Sequence, residues 1–213
     1  MKKVLLPAML LSGICLVMSA YMRPIPANAE KNTAAYPVET GKWTLDKNHS
    51  NVKFTVTHLV VSEVEGNFKI FDGTMENSKE DFSDAKINFT VDVASIDTDN
   101  ERRDNHLKGD DFFNAEKFPA MKFESTSMKS LGNNKYTLAG NLTIRDVTKP
   151  VSFDVTYGGS IAAMGTTKVG FTAKTTINRF DYNLKWDKTT EAGSLVVSKE
   201  VDIKINVELN KSK

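Results

Sequence analysis

Cysteine is nearly absent from this sequence. The 213 residues contain one, Cys15, and it lies in the amino-terminal segment. Beyond that segment the chain therefore offers no thiol nucleophile, no thiolate ligand for a metal and no disulfide. An excess of charge of one sign is also lacking, since the chain has 28 Lys and Arg and 27 Asp and Glu, and these are dispersed along it. Nucleic acid binding requires a concentrated basic face, so nucleic acid is not an expected partner.

The first 29 residues have the composition of a secretory signal peptide. Two lysines precede a mostly apolar stretch at 4–18, and a small-x-small cleavage pattern ends at Ala29. Cleavage there removes three basic residues and leaves 25 basic and 27 acidic side chains in a chain of about 184 residues. We therefore expect an exported protein, periplasmic or secreted, with a polar lead-in at 30–40 and one domain at 41–213.

An uncleaved membrane anchor and a lipoprotein are the alternatives for this segment. A spanning helix needs about 20 apolar residues, and Pro7 interrupts the apolar stretch. Lipid attachment at Cys15 requires a small residue before it, where this chain has Ile14. A cleaved signal is therefore favoured over both.

Apolar and polar residues alternate regularly in six segments of the domain. This period of two is typical of antiparallel strands with one dry and one wet face. The six segments are 51–58, 87–93, 136–144, 151–157, 168–175 and 201–209. Shorter candidates at 42–46, 66–75 and 120–128 bring the total to about nine strands, separated by Gly, Asn and Asp turn signals.

One polar stretch at 100–108 predicts a short helix, and Leu107, Phe112 and Phe113 could fold it back over the strands as a lid. An all-β chain with one helical interruption is typical of a closed barrel or a sandwich. A barrel of about eight strands has room for one ligand if its inner side chains leave space. The sequence leaves open whether such a barrel is hollow or filled.

Short motifs along nearly the whole domain resemble the YceI-like family in their order and spacing. They are WTLD (43–46), HS (49–50), FTVTHL (54–59), VEGNF (64–68), SIDTDN (95–100), RDNHL (103–107), DFF (111–113), FP (118–119), LTI (142–144), VTKP (147–150), INR (177–179) and EV (200–201). The resemblance implies an all-β fold, an extended antiparallel lipocalin-like β-barrel of about eight strands with a short helical insertion. It also implies an exported protein that holds a polyisoprenoid, quinone-like or other long-chain amphiphilic lipid.

Three positions depart from the glycines common in the turns of this family. They are Asp146, Asn183 and Ser198. Asn and Asp are the non-glycine residues that best tolerate a positive φ, so the first two turns are expected to keep their geometry. The departure at Ser198 has no such explanation.

Inward positions of the predicted strands supply the candidate ligand-binding residues. They are Phe54, Val56, His58, Phe68, Phe89, Val91, Phe123, Leu142, Phe153 and Phe171. Each CH₂ of a bound tail that leaves water contributes roughly 0.8 kcal/mol, so such a wall needs no covalent chemistry to hold a lipid. The alternative is that the same side chains interdigitate into an ordinary core.

Polar candidates for the lipid head lie at His58 and on the predicted helix, at Arg103 and Asn105. A polar group inside an apolar barrel needs a hydrogen-bond partner or costs roughly 1–3 kcal/mol. His58 is therefore interpreted either as a donor to the ligand head or as a barrel-end histidine bonded to backbone. For Arg103 the alternative is a helix cap or a local pair. Arg179 is not among these candidates and is interpreted as one member of a buried or rim ion pair.

No enzyme motif is present among the three histidines beyond the signal, His49, His58 and His106. Their spacing matches neither a zinc site nor a nucleophile and base, so we expect no catalytic residue, no metal and no cofactor other than a bound isoprenoid-type lipid. The alternatives are an enzyme acting on an isoprenoid or quinone through His58 or His106, and a structural stress-response protein with a filled barrel. Transient membrane contact is compatible with a lipid carrier, and a homodimer stays open.

Overall fold

The computed structural model describes residues 39–212. Within this range the chain forms eleven strands, one α-helix and three short 3₁₀ turns. The strands are β1 (Gly41–Leu45), β2 (Asn51–His58), β3 (Ser62–Phe68), β4 (Phe71–Asn77), β5 (Lys86–Asp92), β6 (Ile96–Asp97), β7 (Ala120–Gly132), β8 (Lys135–Ile144), β9 (Val147–Ala163), β10 (Thr166–Asn178) and β11 (Glu200–Lys211), and the helix is α1 (Glu101–Lys108). The predicted signal peptide at 1–29 and most of the lead-in lie outside the described residues.

Eight of the strands close into an antiparallel barrel in the order β1, β4, β5, β7, β8, β9, β10 and β11. The barrel closes where β11 returns to β1 and Leu209 lies opposite Leu45. Along its first half, β11 pairs instead with β2, from Asp202 opposite Thr55 to Asn206 opposite Asn51, and β3 and β6 follow β2 in the sheet. The predicted fold class is confirmed.

Alternation along each strand separates the core from the solvent. Trp43, Met75, Leu138 and Val169 are buried inside the barrel, whereas their chain neighbours face outward or are less buried. Because successive Cβ atoms of a strand point to opposite faces, the period of two places every apolar side chain of one set inside. The apolar faces inferred from the sequence are therefore the inner faces of the barrel.

One predicted strand is wrong. The segment 66–75 is two strands, because β3 ends at Phe68 and β4 begins at Phe71. Between them, the backbone N–H groups of Lys69 and Ile70 donate to the carbonyl and hydroxyl of Ser95 instead of to a neighbouring strand. The chain bends at this point because its hydrogen-bond partners change.

Aromatic rings close one end of the barrel. Phe82, on the loop between β4 and β5, is 1% exposed and packs against Tyr136, Tyr157 and Phe171 at centroid distances of 6.5, 5.4 and 5.1 Å. The hairpin between β8 and β9 turns at the opposite end, at residues 145–146. We call the end at Phe82 the plug end and the other the helix end.

The helix end is covered by α1 and by the loop that follows it. The side chain of Asn100 caps α1 by accepting from the backbone N–H of Arg103, as the predicted helix at 100–108 requires. Phe113, in the following loop, packs edge-on against Phe68 of β3 at 5.9 Å. No helix among residues 39–212 has the length and apolar character needed to span a bilayer.

The three positions at which the family commonly has glycine differ in their backbone conformation. Asn183 has φ 61°, so the prediction that it tolerates a left-handed turn is confirmed. At the β8–β9 turn the residue with positive φ is Arg145, at 55°, so the role predicted for Asp146 is wrong. Ser198 keeps an ordinary backbone; its hydroxyl accepts from the N–H of Thr57 and donates to the carbonyl of Glu200, which links the final strand to β2.

Candidate functional site

The barrel encloses a cavity of about 450 Å³, so its interior is hollow rather than filled. This size falls within the range of small-molecule sites, about 300–1,000 Å³. All ten predicted inward residues line it: Phe54, Val56, His58, Phe68, Phe89, Val91, Phe123, Leu142, Phe153 and Phe171. Their wall is almost entirely apolar, which suits a hydrocarbon chain.

Glycines on neighbouring strands make room for several of these rings. Gly73 of β4 lies opposite Phe89 of β5, and a Cβ built on the glycine would lie 2.6 Å from the phenyl Cδ2. A Cβ on Gly140 of β8 would lie 2.4 Å from Cζ of Phe123 on β7. The rings therefore lie flat against the barrel wall, over backbone without side chains, and the middle of the lumen stays open.

Arg103 of α1 lines the cavity at the helix end. Its Nε donates to Oγ1 of Thr98 at 2.7 Å and its Nη2 to the carbonyl of Thr98 at 2.6 Å. The buried carboxylate of Asp104 accepts from the N–H and hydroxyl of the same threonine. Thr98 thus positions the guanidinium, and Arg103 makes no ion pair with a carboxylate in the described part of the chain.

Arg179 is a cavity residue that the sequence interpretation did not include in the site. It is 3% exposed, and its guanidinium donates to the carbonyls of Leu184, Val197 and Ser198 at 3.0, 3.1 and 2.9 Å. Burial lowers the pKa of this guanidinium from its ordinary value. The predicted ion pair is wrong, because no carboxylate among residues 39–212 lies within 4.0 Å of it. Its position in the INR motif was the one sequence signal available.

His58 lies half-buried at the last position of β2, and its ring lines the cavity. Its backbone pairs with Val197, and the next residue, Leu59, donates to the carbonyl of Val196. The imidazole itself forms no hydrogen bond within residues 39–212, so the alternative of a ring bonded to backbone is wrong. Its two nitrogens are available to a ligand.

The remaining polar candidates on α1 differ in position. Asn105 is exposed and does not line the cavity, so placing it at the ligand was wrong. Residues two apart on a helix point to nearly opposite sides, whereas those three or four apart share a face. His106 and Leu107 accordingly join Arg103 in the lining, and Nε2 of His106 lies 2.9 Å from a carboxylate oxygen of Asp111.

His49 belongs to a charge cluster on the outer surface of the barrel. Its Nδ1 lies 2.9 Å from Asp46, whose pKa is held well below its ordinary value by hydrogen bonds from His49 and then from Lys168. Ligand atoms of Asp46, His49 and Glu208 lie within 4.8 Å of one another, as a metal site would need. However, the ammonium of Lys168 already bridges the two carboxylates, at 3.1 and 2.6 Å. The arrangement is that of an ion-pair network.

Comparison with known proteins gives a match to the YceI-like domain over residues 43–209. The chain belongs to the YceI-like family. A UPF0312 protein of Staphylococcus aureus (strain N315) is 38% identical to it over 170 residues, which cover 79% of this chain and 96% of the relative.

Three solved structures share the architecture of this chain. The Campylobacter jejuni YCEI protein is 35% identical, with a TM-score of 0.64, and the alignment covers 80% of this chain and 98% of that protein. BcnA of Burkholderia cenocepacia is 26% identical, with a TM-score of 0.68 and coverage of 77% and 98%. A polyisoprenoid-binding domain from Saccharophagus degradans, at 14% identity, has a TM-score of 0.61 with coverage of 82% and 100%, which shows the shared fold.

Proposed function

We propose that this protein binds a long-chain amphiphilic lipid of the isoprenoid or quinone-like type inside its barrel, as a carrier, store or sensor. The observation that carries the proposal is the apolar cavity of about 450 Å³, closed by aromatic rings at the plug end and bordered by polar side chains at the helix end. Removal of each CH₂ from water contributes roughly 0.8 kcal/mol to binding. The description of the S. degradans domain as polyisoprenoid-binding supports the same ligand class.

The cavity has a direction that suits an amphiphile. Towards the plug end its wall consists of buried rings such as Phe171 and Phe153, 8% and 4% exposed. Towards the helix end it is bordered by His58 and Arg103, both half-buried. In the proposed complex the tail points to the plug and the polar head lies between α1 and the end of β2. Such a site needs no turnover, and we therefore propose a binding protein rather than an enzyme.

We also propose that the signal peptide directs export of the protein. After export, the protein would exchange its lipid at a membrane surface. The turn between β2 and β3 follows His58 directly and exposes Leu59, Val60 and Val61, at 41, 69 and 84%. Insertion of this tip into a bilayer would bring the helix end of the cavity to the lipid phase. A hydrocarbon chain could then enter without crossing water, where its exposure is unfavourable.

Organic extraction and mass spectrometry of protein purified without detergent test the proposal. We expect a co-purifying long-chain lipid in the wild type and in Lys174→Trp, which alters an exposed side chain on the outside of β10. Ala173→Trp places the same indole in the cavity lining and is expected to abolish the lipid while the fold is retained. Wild-type protein that carries no lipid and takes up none from an extract would overturn the proposal. Light scattering on the same samples distinguishes a monomer from a homodimer.

A further inference from the structure

Two guanidinium groups line the helix end of an otherwise apolar cavity, and among residues 39–212 neither has a carboxylate partner. Arg103 donates only to Thr98, and Arg179 donates only to three backbone carbonyls. Two acids lie nearby, one buried and one exposed. Asp104 accepts from Thr98, and Asp187, whose charge acts on Arg179, is exposed.

Carbonyl and hydroxyl partners satisfy hydrogen bonds without cancelling the charge. A guanidinium carries five N–H donors and stays protonated in proteins. Arg179 uses three of its donors in the bonds above and Arg103 uses two, so both keep N–H groups unassigned. A buried charge is costly unless it is paired, and Arg179 is 3% exposed. Asp104, joined to Arg103 through the Thr98 hydroxyl, is the one buried carboxylate beside them in the described part of the chain, so two positive charges stand against one negative charge at this end of the cavity.

Contacts connect these groups at the helix end of the cavity. The Val197 carbonyl that accepts from Arg179 belongs to the residue that pairs with His58. The guanidinium of Arg179 also lies 5.9 Å from the ring centroid of Phe112, which is 5.1 Å from that of His106. His106 is three positions after Arg103 on α1, on the face that lines the cavity. Arg103, His58 and Arg179 thus surround the end at which a lipid head would lie.

We propose that this end of the cavity is an oxyanion site, so that the bound lipid carries a carboxylate or a phosphate rather than a neutral alcohol. The inference rests on the proposed function, because it assumes a lipid tail in the barrel. The planar guanidinium of Arg103, already oriented by Thr98, presents its remaining donors in the geometry that carboxylates and phosphates accept. Arg179 supplies the second positive charge from the wall, and the unpaired imidazole of His58 supplies a further donor.

Calorimetric titration with three ligands of equal chain length tests the site: hexadecyl phosphate, palmitate and hexadecanol. We expect at least one anion to bind about tenfold more tightly than the alcohol, or better, since ionised hydrogen-bond partners are roughly twice as strong as neutral ones. Comparison of the phosphate with the carboxylate identifies the preferred head. Equal affinity for all three ligands would overturn the oxyanion site and leave lipid binding intact. Failure of all three to bind would instead count against the proposed function.

Variants on one helix assign the effect to a residue. Arg103→Gln is expected to bring the affinity for the anion several-fold closer to that for hexadecanol, since Arg179 and His58 remain, while leaving the affinity for the alcohol unchanged. Arg102→Gln is the matched control, because Arg102 is exposed on the same helix, carries the same charge and does not line the cavity. An equal loss in both variants would mean that net charge, not the site, attracts the anion, and would overturn the assignment. If Arg103→Gln fails to fold, the wild-type comparison of anion with alcohol still decides the proposal.

Discussion

Phe54 of β2 and Gly66 of β3 lie opposite each other in register, and the phenyl ring fills the space that a side chain at position 66 would occupy. A Cβ on Gly66 would lie 2.3 Å from Cζ of Phe54 and 2.8 Å from Cγ2 of Thr98. Real Cβ atoms do not approach so closely, so any side chain here must displace the ring. The open lumen therefore depends on this glycine as much as on the phenylalanine.

The first prediction concerns that pair. Gly66→Ala should lower the free energy of unfolding by about 1–3 kcal/mol, as overpacking of a core does, and should push the Phe54 ring into the cavity. Lipid uptake per folded barrel should fall, which mass spectrometry measures. Gly170→Ala is the control, because its φ is not positive and the nearest atom to its new Cβ lies at 3.9 Å. Equal lipid content in both variants would contradict the proposed role of Gly66.

Arg145 connects the loop after α1 to Asn183, which follows the 3₁₀ turn Arg179–Tyr182. Its Nη1 donates to the carbonyls of Asp110, Phe112 and Asn183 at 3.0, 2.8 and 2.8 Å, and its side chain is 10% exposed. Arg145→Lys should cost about 2–3 kcal/mol, because one ammonium cannot reproduce the fork and the part-buried carbonyls of Phe112 and Asn183 lose their donor. Hydrogen exchange should increase in both connected segments, and Arg102→Lys should leave it unchanged. A loss of protection from hydrogen exchange that is spread evenly over the barrel would contradict this local role.

Val60 has φ 65°, a conformation that is strained for a β-branched residue. Val60→Asn should raise the free energy of unfolding by up to about 1 kcal/mol, since Asn tolerates this backbone conformation. It should also reduce the fraction of protein that co-sediments with phosphatidylglycerol vesicles. Met164→Asn is the matched control. Met164 has φ 52° and is 93% exposed in the β9–β10 turn, away from the helix end. Its replacement should relieve strain without affecting vesicle binding. Unchanged sedimentation of Val60→Asn would argue against the β2–β3 tip as the membrane contact.

The outer ion-pair network predicts a pH dependence of stability. Asp46 has a pKa held below its ordinary 3.8, chiefly by the hydrogen bond from His49. A carboxyl with a lowered folded-state pKa contributes stability above its unfolded pKa, and this is lost as pH falls. Asp46→Asn should therefore destabilise the protein by about 1–2 kcal/mol at pH 7, and the difference should shrink below about pH 4. Denaturation at several pH values measures it. Glu191→Gln, an exposed loop substitution, should show no such pattern.

Much of the site could be predicted because strand geometry is local. The alternation at 51–58 placed Phe54, Val56 and His58 on one face, and the structure puts all three in the cavity lining. The prediction for Asn105 was wrong because a motif in the linear sequence does not account for the helical period. Asn105 is two residues after Arg103 and therefore lies on nearly the opposite side of α1. Arg179 was missed because its lack of a carboxylate partner depends on segments that only folding brings together.

The sequence by itself determined the strands, their inner faces and the membership of the YceI-like family, because period-two alternation and short motifs are properties of neighbouring residues. Only the tertiary structure decided that the barrel is hollow and that Arg103 and Arg179 both line its helix end. The cavity depends on Gly73 lying opposite Phe89 on the neighbouring strand, and the position of Arg179 depends on its hydrogen bonds to carbonyls of a distant segment. Both depend on strand register and chain closure, which relate residues far apart in the chain.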